Sequence, residues 1–263
     1  MNKPSTQNDK PSLREWKLMA VLSFVATVMM LSTACSNNNN SVPASNEVEP
    51  SDGLRHAKDS TALDLRSSSS EATDLPQLSV FDRLESNMVF VENDTGGFYI
   101  CKHEVTQALW VAVMGENPSQ MQGNDLPVEQ VNWDDCQVFI GRLNKLTGKH
   151  FRLPTEAEWE YACRGGKYSK GYKYSGSNDI DEVAWYDGNS ENRTHPVGQK
   201  RPNELGLYDM SGNVWEWCGD MQELEGMCRG GSWIHNARNC DPSLPNETPR
   251  MFKINCLGLR LAL

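Results

Sequence analysis

The chain has 263 residues, with 35 Asp and Glu against 25 Lys and Arg, and a formal net charge of −10. With no basic block in the part that follows its N-terminal segment, this composition excludes nucleic acid as a partner and excludes a polybasic membrane patch. None of the eight cysteines stands in a C-x-x-C pair, which argues against a zinc ribbon or a thioredoxin-type site.

Residues 1–35 read as an address. Lys3, Lys10, Arg14 and Lys17 form a basic start, and Leu18 to Leu31 is an uncharged apolar run of 14 residues. A bilayer needs roughly 20 residues, so this run suits a signal-peptide core instead. The text Leu31-Ser32-Thr33-Ala34-Cys35 resembles a bacterial lipobox, which implies that Cys35 is lipidated and becomes the first residue of the mature protein. Residues 36–77 are Asn, Ser, Glu, Asp and Pro with few aromatics, a disordered polar linker that cannot bury enough apolar surface to offset its ordering entropy. Residues 78–263 suffice for one domain with a sizeable core. The expected location is the bacterial cell envelope, lipid-anchored at the outer membrane or cell surface.

Within the domain, Ser86 to Cys101 alternates apolar and polar residues around Asp94-Thr95-Gly96-Gly97, a hairpin pattern. Thr106 is placed to cap a short helix that Gly115 closes. Cys136, Phe139, Ile140, Leu143 and Leu146 fall at helical spacing between Asn132 and Gly148. A capping box of Thr155 and Glu158 opens another helix, which ends at Gly165-Gly166. Beyond Gly166, short strands are legible only at Val183 to Tyr186 and in the terminal L-G-L-R-L-A-L. Seven cysteines follow Cys35, and an exported chain allows them to pair, with at least one left over. The predicted class is α+β with much irregular structure.

Gly206 to Trp217, G-L-Y-D-M-S-G-N-V-W-E-W, concentrates turn-formers, hard oxygen donors (Asp209, Glu216) and large aromatics. Such a set offers what calcium requires, and equally describes a tight, Trp-stapled turn. Other motifs stand in order around it: L-P-V-E-Q-V-N-W-D-D from Leu126, F-R-L-P-T-E-A-E-W-E-Y-A from Phe151, H-P-V-G from His195, R-G-G-S-W from Arg229 and G-L-R-L from Gly258. Together they resemble the formylglycine-generating, or sulfatase-modifying-factor, family from about Asn87 to Leu263. The resemblance implies an elaborated C-type-lectin-like α+β fold with little regular secondary structure. It also implies a structural calcium held by the carboxylates of Asp209 and Glu216 and the carbonyls of Gly212 and Val214.

The family's oxidases hold copper(I) between two cysteines, a soft ion on soft ligands. Here the second position matches Cys240, but the first falls on His235. Between the matched R-G-G-S-W and G-L-R-L-A-L lies an aperiodic mixture of side chains. This intact frame around a scrambled insert resembles the variable proteins of diversity-generating retroelements. A binding surface drawn from Ile234, His235, Asn236, Asp241, Pro242, Leu244, Pro245, Glu247, Arg250, Met251, Phe252 and Lys253 is expected to meet a protein or glycan ligand. Ile254 and Leu257 are expected in the core. Three readings stand: a lipid-anchored, non-catalytic binding protein, a copper-dependent oxidase using Cys240 and His235, and a structural envelope lipoprotein.

Overall fold

The computed structural model describes residues 74–263 except Glu223, and side chains from Val80 onward except Gln222. The expected signal segment, Cys35 and nearly all of the expected linker lie outside the described residues. Helix α1 (Asp74–Ser86), absent from the predicted elements, precedes a hairpin of β1 (Met88–Val91) and β2 (Phe98–Cys101), paired Met88↔Cys101 through Val91↔Phe98. Gly97 is required at its turn, because φ is +125° and a Cβ would stand 2.6 Å from the Val91 carbonyl.

Helix α2 (Gln107–Met114) is capped by Thr106, whose side chain accepts from the Leu109 N–H, and ends at left-handed Gly115. In α3 (Trp133–Thr147), Asn132 and Asp135 form a capping box and Gly148 terminates the helix. Cys136, Phe139, Ile140 and Leu143 face the core as their spacing predicts, whereas Leu146 is 60% exposed. Helix α4 (Glu156–Cys163) opens with the predicted Thr155–Glu158 box. The expected strand from Val183 is corrected: Ile180–Val183 is a helical turn, α5, capped by the Asp179 side chain, and extended backbone begins only at Ala184.

Strands β3 (Trp215–Gln222), β4 (Glu225–Arg229), β5 (Asn246–Pro249) and β6 (Leu257–Leu259) form a sheet in the order β5-β4-β3-β6, with β3 and β6 parallel and the other pairs antiparallel. Side chains alternate across a strand, so β3 sends Trp215 and Trp217 into the core that contains Phe139 and the stacked Trp110 (4.7 Å between ring centroids). Glu216 points the other way, toward Trp159 and a second core layer with Leu207 and Met210. Leu257 is buried, as expected, and Ile254 packs partly buried against the first layer. All seven cysteines from Cys101 onward are buried, unpaired thiols, so the pairing open to an exported chain is not formed.

Candidate functional site

The turn from Asp209 to Asn213 is built on left-handed backbone, with φ of +56° at Asp209, +90° at Gly212 and +58° at Asn213. Only glycine fits at 212, since a Cβ there would stand 2.3 Å from the Trp185 carbonyl. Asn213 locks the turn to the H-P-V-G motif: its Oδ1 accepts from the His195 N–H at 3.0 Å, and its Nδ2 donates to the His195 carbonyl.

Behind the turn lies a buried polar centre. Arg260, Glu216 and Glu104 are fully removed from solvent and Asp209 is 2% exposed. Arg260 donates from Nη2 to Glu216 Oε1 at 2.7 Å and from Nε to Oε2 at 2.9 Å. Its remaining N–H groups reach the carbonyls of Cys101 (2.9 Å) and Tyr208 (2.8 Å). Trp159 Nε1 donates to Glu216 Oε2 at 2.6 Å, so both oxygens of Glu216 are engaged.

The other two carboxyls are not satisfied in this way. Asp209 Oδ2 accepts from the Gly198 N–H at 2.7 Å, while Asp209 Oδ1 and both oxygens of Glu104 have no hydrogen-bond partner. Burial pushes Asp209 up to about 6, against the pull of the Gly198 N–H. Burial, then the Asp209 charge, holds Glu104 well above the usual carboxylate range. Among the described residues, no N–H donates to the carbonyls of Gly212 or Val214. Three members of the implied calcium set therefore offer free hard oxygens, and Glu216 does not. No three His, Cys, Asp or Glu side chains among the described residues are arranged to hold a metal. Sequence reasoning missed Glu104, whose H-E-V-T context carries no ligand signal.

The copper positions fit poorly. Trp215 Nε1 lies 3.3 Å and Ser232 Oγ 2.6 Å from His235 Nδ1. An indole N–H only donates, so Nδ1 is the acceptor and Ser232 donates to it as well. Burial pushes His235 down to about 4, keeping it neutral. Cys240 instead packs with Tyr174 and Val183, and burial pushes its thiol up to about 12. A thiol so buried is neither a ready ligand nor a ready nucleophile.

The expected binding residues stand on two supports. Ile234, His235 and Asn236 follow Trp233, with Asn236 capping the 3-10 turn Ala237–Cys240. Asp241, Leu244, Pro245 and Glu247 lead into and along edge strand β5 at least partly exposed, but Pro242 is buried, its carbonyl held by Arg229, and leaves the surface set. The second support is the start of α3. There Arg250 pairs with Asp134 and lies 5.5 Å over the Trp133 ring, and Lys253 reaches Asp135 at 2.8 Å. Met251 is 71% exposed and Phe252 half-buried. Leu224, 73% exposed at the β3–β4 turn, accepts through its carbonyl from the Arg250 N–H at 2.9 Å, one residue before Met251. Trp133 and Leu224 were not foreseen, although an apolar Leu224 between Glu223 and Glu225 in a turn was a signal.

This short-stranded α+β frame, with its buried turn and loop-rich C-terminal face, is of the formylglycine-generating, C-type-lectin-like class. The chain belongs to the family described as the sulfatase-modifying factor enzyme 1-like domain, which it matches over residues 86–263. It is 36% identical over 218 residues to the chaperone protein LppX of Paenibacillus barcinonensis, a match covering 61% of this chain and 76% of that protein. It is 30% identical over 161 residues to inactive C-alpha-formylglycine-generating enzyme 2 of Bos taurus, covering 56% of this chain and about half (52%) of that protein's length. Among solved structures, Treponema denticola variable protein 1 is similar at 30% identity and a TM-score of 0.59, covering 67% of this chain and 91% of the other.

Proposed function

We propose that this is a lipid-anchored, non-catalytic ligand-binding protein of the bacterial cell envelope that presents a protein-binding surface at its C-terminal face. The observation that carries this reading is the exposed pair Leu224 and Met251 beside Trp133 and Arg250, apolar anchors within a rim of ion pairs. Such a mixture of anchor and rim is what binding surfaces use. A chaperone and an inactive enzyme among the relatives support a protein ligand and an absence of turnover. Lipid on Cys35 would tether the domain through the polar linker.

In this reading a structural calcium ion, when bound, neutralises the buried carboxyls beside the 209–214 turn. Asp209 and the carbonyls of Gly212 and Val214 would hold it, and Asn213 fixes the turn that presents them. Residues His235 and Cys240 favour no copper site. The oxidase remains the second reading only because Cys240 occupies the matching position.

The test is binding of the full chain to a reduced, alkylated model client and to a glycan array, alongside Met251→Asp. Client binding that weakens at least tenfold in the variant, with unchanged melting temperature, is expected. Glycan binding that weakens likewise would make the ligand a sugar, and binding indifferent to Met251→Asp would overturn the surface assignment.

A further inference from the structure

The buried centre holds more carboxyls than cations. Glu104, Asp209 and Glu216 supply three carboxylates, and Arg260 supplies the single guanidinium among them. Arg260 spends its carboxylate contacts on Glu216 alone. Two carboxyls are therefore left without a counter-charge in a region without solvent, and they cannot be buried as ions at low cost unless paired or neutralised.

Backbone geometry brings together the two segments that carry the surplus carboxyls. The Tyr208 N–H donates to the Lys102 carbonyl at 2.8 Å, and Arg260 bridges the carbonyls of Cys101 and Tyr208. Glu104 follows Lys102 by two residues, and Asp209 directly follows Tyr208. The two groups are close enough for the charge of Asp209 to act on Glu104. Between them they present three oxygens without a hydrogen-bond partner.

We propose that Glu104 is the second carboxylate of the cation site, taking the place that the family resemblance gives to Glu216. This rests on the calcium reading above and changes its ligand set. A hard divalent cation between Glu104 and Asp209 supplies the two missing positive charges, accepts oxygens only, and leaves the Arg260–Glu216 pair intact. Glu104 then ties the start of α2 to the 209–214 turn through the ion, and Glu216 serves as the anchor of Arg260.

The test is calcium titration of the full chain by calorimetry, with melting temperatures recorded with and without the ion, for wild type, Glu104→Gln, Asp209→Ala and Glu216→Gln. Glu104→Gln should weaken calcium at least tenfold and lose the calcium-dependent rise in melting temperature, while its melting temperature without the ion stays at or above wild type. Glu216→Gln should melt lower by a similar amount with and without calcium. Calcium binding that Asp209→Ala weakens and Glu104→Gln does not would overturn the assignment of Glu104 and leave the calcium reading standing. Wild-type protein that shows neither calcium heat nor a melting shift would overturn both.

Discussion

Arg260, one residue past β6, meets Glu216 on the neighbouring parallel strand β3, Nη2 to Oε1 at 2.7 Å, with neither side chain reaching solvent. The contact depends on register: Glu216 stands opposite Gly258 on β6, and Arg260, two residues on, faces the same side. Removing one partner strands a buried charge, so Arg260→Met should cost about 3–5 kcal/mol. The doubly substituted Glu216→Leu/Arg260→Met protein should lose less than Glu216→Leu alone. Chemical denaturation of the set measures both differences.

Gly258 is the complementary case. A Cβ there would stand 2.4 Å from the Val128 carbonyl, a backbone atom with little freedom to retreat. Gly258→Ala should therefore cost about 1–3 kcal/mol by overpacking, without touching any polar contact. Equal denaturation midpoints for Gly258→Ala and wild type would show that β6 can shift to accept the methyl group.

Glu129 makes stability depend on pH. It is fully buried, Oε1 accepts from the Met121 N–H at 2.9 Å, Oε2 has no partner, and burial pushes its carboxyl up to about 7 from 4.5. Because the folded state holds this proton more tightly, both states are protonated below about pH 4.5 and nothing is lost there. Between about 4.5 and 7 the unfolded chain releases the proton first, so stability falls as pH rises, by on the order of 3 kcal/mol in total. Glu129→Gln should remove most of that fall. Melting curves from pH 4.5 to 8 would contradict the account if the two proteins ran parallel.

Met251 and Leu224 are proposed to carry the binding surface without carrying the fold. Each is more than 70% exposed, so Met251→Ala or Leu224→Ala should change stability by no more than about 0.5 kcal/mol. Their effect should appear in ligand retention, measured as the dissociation rate of the captured client. A large stability loss would mean that they pack against something and are not free anchors.

Local chemistry was legible in the sequence and distant pairing was not. Thr106, Gly115, Asn132, Gly148 and the Thr155–Glu158 box act within four residues, so their text alone marks three helices. The family motifs carried the lectin-like fold and the turn at 209–214. Val183 misled because an apolar, aromatic run reads as a strand, while Asp179 caps the helical turn that ends at Val183. Glu216 and Arg260 are separated by 44 residues in the chain, and no spacing rule reveals that the ligand-like carboxylate of one is consumed by the other. Pro242 looked like loop surface, and only the Arg229 contact shows it to be buried.

A binding protein on an oxidase frame is tested most directly by turnover. The full chain would be loaded with copper(I), supplied with dioxygen and offered a sulfatase-type cysteine peptide. With Cys240 buried as a thiol and His235 engaged by Ser232 and Trp215, the prediction is that no formylglycine forms. Formylglycine that appears in the wild type and vanishes in Cys240→Ser would contradict the claim.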